Sequence, residues 1–277
     1  MATVLSKWIP DVEFVAEATS GAAENIKLIH EGSIALALAT ADVAWSATRG
    51  KLNGLRNNIP VRTLLGTYAA YLHLVTLVDR GISEVSDLRG QRVSTGLAGT
   101  GAEVKALRVL EAHGIAPADL GMHEHLDYPE VGRALVEGRI DAFTWDSALP
   151  ARAISDLAAT PGTAIRLVST GDAVANMTAK YGPFYFTAPI PKGTYQGVDE
   201  DVNAAAGVIL LVAHEEMAES LAYSITKVLL ENTQELAAAN ETAKEIALSK
   251  AVRGSSVPFH AGALRYYLEK GAALPAI

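Results

Sequence analysis

Residues 92–169 alternate between strand-like and helix-like apolar patterns, and this alternation constrains the fold more than any other feature of the chain. Short runs with strand periodicity are separated by longer segments whose apolar residues recur at helical spacing. Because parallel strands are joined through crossover helices, the alternation predicts a doubly wound α/β unit. The predicted strands are 92–95, 122–126, 140–145 and 164–169, and the predicted helices are 102–113, 128–137 and 150–159.

Related patterns flank this unit on both sides. The preceding residues repeat the βα rhythm, from which we expect parallel sheet there as well. After residue 215 the pattern is almost wholly helical, which predicts a helical C-terminal tail. The N-terminal predictions are a helix at 2–9, strands at 12–18, 34–39, 61–66 and 72–78, helices at 23–30 and 42–48, and a turn at 53–60. The C-terminal predictions are extended segments at 184–187 and 202–212, followed by helices at 215–232, 235–251 and 260–270.

Composition narrows the classes of function. The 277 residues are 49% hydrophobic and 19% charged, which is enough apolar material for a large folded core. The formal net charge is −8 and no long cluster of Lys or Arg occurs, which argues against a nucleic-acid partner. The absence of cysteine excludes disulfides, thiolate metal ligands and cysteine nucleophiles. No apolar run is long enough to span a membrane, and the residues after Met1 do not have the pattern of a secretory signal peptide. We therefore expect neither a membrane anchor nor a leader peptide.

The segment 94–103 is a loop rich in glycine and hydroxyl residues between a predicted strand and a predicted helix. Glycines let a backbone approach a ligand closely, and the first N–H groups of a helix attract anions. We therefore predict that Thr95, Gly99, Thr100 and Gly101 bind an anion. A plain strand-to-helix turn capped by Thr100 is the alternative. The glycine spacing matches neither the Rossmann fingerprint nor the P-loop.

A second loop of this type, at residues 19–25, also follows a predicted strand and precedes a helix. It offers Ser20, Gly21 and Asn25 as ligand-binding residues, with ordinary helix capping by Ser20 as the alternative. Ligands of open α/β sheets lie beyond the carboxyl ends of the strands, so both loops could face one ligand. We expect the pocket to be completed by Tyr68, Trp145 and Asp146.

Metal binding and catalysis find little support in the sequence. His123 and His125 lie on the same side of an extended segment, as two zinc ligands would, but the sequence indicates no third ligand. No serine lies in a nucleophile elbow, and no histidine and aspartate are linked to one. We therefore predict no catalytic residues, no metal site and no cofactor.

Several short segments, taken in order, resemble the TAXI family, the glutamate- and oxoglutarate-type solute receptors of tripartite ATP-independent periplasmic (TRAP) transporters. The resemblance runs nearly end to end, and its specificity lies in the order and spacing of the segments. These are 21–25 with Leu28 and Gly32, 41–43 with Ala47 and Gly50, 88–103, 114–115, 137–143, 190–195, 257–263 and 265–271.

The resemblance implies a type II periplasmic-binding fold, in which two doubly wound α/β lobes are joined by two crossing strands. The crossing strands would be 72–78 and 184–190. Lobe I would then comprise residues 1–79 and 188–277, and lobe II residues 80–187. The implied function is an extracytoplasmic solute receptor that binds a small carboxylate, such as glutamate or 2-oxoglutarate, in the interlobe cleft without chemistry. The implied partners are this small anionic solute and the TRAP membrane permease subunits, and the implied location is the periplasm.

The chain departs from the family pattern at several points. Gly99-Thr100-Gly101-Ala102 replaces the usual Gly-Ser-Gly-Thr, Ala22 replaces a serine, and Thr40 stands where glutamine is frequent. Met1 falls where the helix after the family's first strand is expected, so we expect that strand to be missing. Two other functions remain open at this point: an enzyme on the same scaffold, with Asp146 and His73 as its acid and base, or a sensor without a transport role.

Overall fold

The computed structural model describes residues 1–52 and 57–274, and its contacts divide the chain into two units. The first unit comprises Met1–Ala69 and Val208–Ile277, and the second comprises Ala70–Gly207. Residues 53–56 of the predicted turn at 53–60 lie outside the described residues. Within the described ranges, no helix combines the length and the apolar composition needed to cross a membrane.

The first unit packs most of its helices around a short piece of sheet. Strand β1 pairs antiparallel with the end of β8, with Leu36 opposite Ala213 and Thr40 opposite Ile209. Buried apolar residues of the N-terminal helix, the sheet and the C-terminal helices form one core, including Leu5, Leu64 and Tyr267. Its elements are α1 (Ala2–Trp8), α2 (Ala22–His30), β1 (Leu36–Thr40), α3 (Ala41–Thr48), the first part of β2 (Val61–Leu77), the last part of β8 (Val202–His214), α8 (Glu219–Glu231), α9 (Thr233–Ala239), α10 (Leu248–Ala251) and α11 (Ala261–Glu269).

The second unit contains the parallel part of the sheet. Strand β3 lies between β4 and β5 and is parallel to both, whereas β5 and β6 pair antiparallel with β2. Strand β7 pairs antiparallel with the first part of β8. A core that includes Val75, Phe143 and Ile154 lies under these strands. The elements are β3 (Arg92–Ser94), α4 (Gly101–Ala112), β4 (Met122–Glu124), α5 (Glu130–Val136), β5 (Ala142–Ser147), α6 (Arg152–Ala158), β6 (Ile165–Val168), α7 (Val174–Tyr181) and β7 (Tyr185–Ile190).

Two long strands, β2 and β8, run from one unit into the other. The predicted strands 61–66 and 72–78 are one continuous strand, β2, which runs from Val61 to Leu77. Gly66 fits inside this strand because it lacks a side chain: a Cβ there would lie 3.1 Å from Val208 Cγ1 and 3.3 Å from the Ala251 carbonyl oxygen. Strand β7, which we expected to cross, lies within the second unit, and β8 crosses instead.

Two predictions for the first unit are wrong. Residues 12–18 form no strand, because the segment is mostly exposed and its ordering contacts are local. The Phe14 N–H donates to Ser6 Oγ at 3.1 Å, while Val15 is 73% exposed. The predicted parallel pairing is also wrong, because β1 pairs with β8, a strand from the distant C-terminal half that runs in the opposite direction.

Candidate functional site

The predicted anion-binding loop of the second unit connects the end of β3 at Ser94 to the start of α4 at Gly101. Thr100 is the N-cap: its hydroxyl accepts the Glu103 N–H at 3.3 Å and donates to the Leu97 carbonyl at 2.7 Å. Gly96 and Gly99 have φ values of 88° and 78°, a left-handed conformation that favours glycine. The loop is therefore a capped turn that begins a twelve-residue helix.

An internal carboxylate occupies part of this loop. The Gly99 N–H, which we expected to donate to a ligand, donates to Glu103 Oε2 at 2.6 Å. Glu103 lies in the first turn of α4, where the helix dipole favours a negative charge. A ligand anion at Gly99 must therefore displace this carboxylate or share the donor with it.

Thr95 is completely buried beside β4. Its N–H donates to the Glu124 carbonyl at 3.1 Å, and its hydroxyl hydrogen-bonds to His123 Nε2 at 2.7 Å. The hydroxyl that we predicted to contact a ligand is thus bonded to an imidazole.

The loop before α2, in the first unit, is closed in the same way as the loop before α4. Gly21 is the N-cap with φ of 137°, so Ser20 is not the capping residue. The Ser20 N–H and hydroxyl both donate to Glu24 Oε2 at 2.6 Å, and these two bonds, the hydroxyl first, lower the pKa of Glu24. Asn25 donates to the Leu38 carbonyl at 2.8 Å and so ties α2 to β1.

A buried ion pair that sequence analysis missed lies one helical turn after the α4 loop. Lys105 Nζ is 2.7 Å from Asp146 Oδ1 and also donates to the Ala70 carbonyl at 3.1 Å. The Lys105 and Asp146 side chains are only 2% and 3% exposed. The available signal was position, because Lys105 lies on the face of α4 that also buries Gly101 and Val109. Asp146, predicted to position a ligand, is thus partnered by a buried cation.

Trp145 lies in β5 directly opposite His73 of β2. The Trp145 carbonyl lies 3.0 Å from His73 Nδ1, and the Tyr195 hydroxyl lies 2.8 Å from His73 Nε2. Burial lowers the pKa of His73 to about 4, so its imidazole is neutral at neutral pH. A neutral ring donates from Nδ1 to the carbonyl and accepts the Tyr195 hydroxyl proton at Nε2. His73 is therefore part of a structural hydrogen-bond chain.

The predicted binding residues are divided between the two units. Ser20, Gly21, Asn25 and the half-buried Tyr68 belong to the first unit. The second unit contains Thr95, Gly99, Thr100, Gly101, Trp145 and Asp146. Within the second unit, α4 links the loop to Asp146 because it carries both Glu103 and Lys105.

The NMT1-like family matches residues 1–271. This chain belongs to the NMT1-like family. Solved structures resemble it along most of its length at low sequence identity, so they establish the fold. The periplasmic aliphatic sulphonate binding protein SsuA from Escherichia coli aligns with a TM-score of 0.55 and 16% identity, covering 96% of this chain and 76% of that chain.

Two Xanthomonas structures have the same relationship to this NMT1-like chain. XAC2383 from Xanthomonas citri bound to ATP aligns with a TM-score of 0.54 and 12% identity, covering 97% of this chain and 88% of that chain. The alkanesulfonate-binding protein SsuA from Xanthomonas axonopodis pv. citri bound to MOPS aligns with a TM-score of 0.50 and 15% identity, covering 96% and 76%. The predicted type II periplasmic-binding fold is thus confirmed.

Proposed function

We propose that this NMT1-like protein is a solute receptor that binds a small anion without changing it chemically. The observation that carries the proposal is the capped, glycine-containing loop at the start of α4, at the carboxyl end of a parallel strand, in a fold shared with binding proteins. Helix N-termini attract anions, and α/β folds bind ligands at the carboxyl ends of their strands. The ligands named for the three neighbours, sulphonate, MOPS and ATP, all carry an anionic group.

We propose further that the solute is a small carboxylate of the glutamate or 2-oxoglutarate type. The support is the resemblance of the sequence to the TAXI receptors, which also suggests delivery to TRAP permease subunits from the periplasm. The E. coli neighbour is described as a periplasmic protein, which agrees with that location. Carboxylates and sulphonates both accept backbone N–H donors, so the binding experiment must compare the two classes.

In the second unit, the proposed ligand contacts at the loop are Thr100 and the N–H groups of Gly99 and Gly101. Thr95, Trp145 and Asp146 are the other proposed ligand-binding residues of this unit. The proposed contacts of the first unit are Ser20, Gly21, Asn25 and Tyr68. Glu103 opposes an anion at this loop because its carboxylate already accepts the Gly99 N–H. We therefore propose that Glu103 limits the affinity of the loop for the solute.

Two contacts support a function without chemistry. The enzyme alternative required Asp146 and His73 as acid and base. Asp146 is bound to the buried Lys105 ammonium, and His73 is 1% exposed between Trp145 and Tyr195. Both groups are thus used to hold the fold, which favours a receptor over an enzyme.

Isothermal titration calorimetry with a panel of anions tests the proposed function. The panel contains glutamate, 2-oxoglutarate, C4-dicarboxylates and short alkanesulphonates, and NMR of the recovered solute tests for conversion. We expect saturable binding of one equivalent of at least one carboxylate, with the solute recovered unchanged. Preference for sulphonates would contradict the carboxylate assignment, conversion would contradict the receptor, and the absence of binding by every anion would contradict both.

A further inference from the structure

Glu103, His123 and His125, which we call the histidine cluster, come together in the second unit. Each residue offers one potential ligand atom, and the three atoms lie within 4.8 Å of one another. The two imidazole rings have centroids 4.5 Å apart, and His125 Nδ1 is 3.3 Å from Glu103 Oε1. His123 lies in β4 and His125 directly follows it, two positions further on, while the first turn of α4 supplies the third residue. This is the third ligand that the sequence alone did not indicate.

Surrounding protein atoms orient each member of the cluster. The buried Thr95 hydroxyl bonds to His123 Nε2 at 2.7 Å, and the Gly96 carbonyl lies 3.1 Å from His125 Nδ1. The Gly99 N–H holds Glu103 Oε2 at 2.6 Å, while Oε1 faces His125. Metal-binding histidines characteristically bond one ring nitrogen to a protein oxygen and ligate with the other. By this rule the Thr95 bond to Nε2 leaves His123 Nδ1 to ligate, and the Gly96 bond to Nδ1 leaves His125 Nε2 to ligate.

The chemistry of the three side chains selects the class of ion. Two imidazoles and one carboxylate are a ligand set of zinc sites that keep one position open, and they also suit neighbouring divalent transition metals. Tetrahedral zinc with bonds of about 2.0–2.1 Å places its ligand atoms about 3.3 Å apart. The ligand atoms lie within 4.8 Å of one another, somewhat further apart than zinc requires. Rotation of the His125 side chain, which is 36% exposed, can bring them together, because the Gly99 N–H already holds Glu103 in place. We infer that Glu103, His123 and His125 bind one divalent transition-metal ion of the zinc class.

Because Glu103 and Thr95 also belong to the proposed solute loop, the test uses metal alone, with no solute present. The full chain, treated with chelator and then freed of it, is titrated with Zn²⁺ by calorimetry and with Co²⁺ by visible absorption. We expect one equivalent of Zn²⁺ to bind, a rise in Tm on its addition, and the strong d–d bands of tetrahedral Co²⁺. Glu103→Gln and His125→Gln should each weaken Zn²⁺ binding at least tenfold and abolish the Co²⁺ bands.

His113→Gln is the matched control. His113 lies at the other end of α4 and also contacts a carboxylate, with Nε2 3.2 Å from Asp172 Oδ2. Its replacement should leave Zn²⁺ binding unchanged if the histidine cluster is the site. Thr95→Val, which keeps all three ligands, should weaken Zn²⁺ binding about 10- to 100-fold and covers the case in which a ligand variant does not fold. No saturable Zn²⁺ binding by the wild type, or equal binding by the wild type and the cluster variants, would overturn the inference.

Discussion

At the scale of single residues, the Lys105–Asp146 ion pair is a buried charge contact of the second unit. Lys105→Met removes the ammonium and leaves the Asp146 carboxylate buried without this cation. We expect the free energy of unfolding to fall by about 3–5 kcal/mol in urea denaturation. Lys180→Met is the control. It breaks the exposed ion pair between Lys180 of α7 and Glu111, which lies on α4 like Lys105, and it should lower the free energy of unfolding by less than about 1 kcal/mol. Equal losses of unfolding free energy in the two variants would contradict the prediction that the buried pair matters more for stability than the exposed one.

His73 should make the stability of the protein depend on pH. Burial lowers its pKa to about 4 in the folded state, whereas an unfolded histidine titrates near 6.5. Between these values the unfolded state binds more protons, so stability is full above pH 6.5 and falls as the pH drops towards 4. The His73 contribution over this range is about 3 kcal/mol.

The comparison with His73→Gln isolates this contribution. Denaturation of both proteins from pH 7 to pH 4 should show a shallower loss of stability in the variant, whatever its stability at pH 7. Parallel profiles for the wild type and His73→Gln would contradict the buried, neutral state of this imidazole.

The sequence predicted some residue-level features of the site and missed others for a clear reason. Capping by Thr100 was one of the two alternatives, and it follows from local spacing alone. The Lys105–Asp146 pair and the Glu103 contribution to the histidine cluster join residues that are distant in the chain. Patterns in a single sequence report local spacing, so they identify neither Asp146 as the partner of Lys105 nor Glu103 as the partner of the two histidines.

At the scale of elements, the contact between α11 and α8 depends on a glycine. A Cβ at Gly262 would collide with the Glu219 carbonyl oxygen and the Tyr223 backbone nitrogen, both of which belong to α8. Gly262→Ala must push the two helices apart, and we expect it to destabilise the protein by about 1–3 kcal/mol in thermal or urea denaturation.

Gly132→Ala in α5 is the control with the opposite expected sign. A Cβ there meets only the Leu157 side chain, at an ordinary contact distance of 3.8 Å. Because alanine is a better helix former, this change should stabilise the protein by up to about 1 kcal/mol. Destabilisation by both substitutions to the same extent would contradict the close approach at Gly262.

Most helices were predictable from their apolar period, and two stretches were not predicted as the structure has them. Helix α7, which buries only Met177, was not predicted. The helix predicted at 235–251 is interrupted at Asn240, whose side chain accepts the Thr242 N–H at 3.0 Å and starts a short 3-10 turn. Asparagine competes with helix propagation in this way, which the apolar pattern does not register.

At the scale of the whole molecule, the fold class was predictable from the alternation of strands and helices. The pairing of β1 with β8 was not, because it joins segments about 170 residues apart and the period of a strand does not identify its partner. The choice of β8 over β7 as a crossing strand has the same origin. The expectations for the lobe boundaries and for a ligand shared by the two loops remain predictions.

Solute binding at the α4 loop is the central claim about the whole molecule. Substitution of Glu103 tests this claim most directly, because its carboxylate accepts the Gly99 N–H of the loop. Calorimetry should compare the best anion of the panel in the wild type, Glu103→Gln and Glu111→Gln, where Glu111 lies two turns further along α4 and pairs with Lys180. Loss of the Glu103 charge removes repulsion beside the loop, so we expect about tenfold tighter binding in Glu103→Gln and no change in Glu111→Gln. Equal affinities of all three proteins would contradict solute binding at this loop.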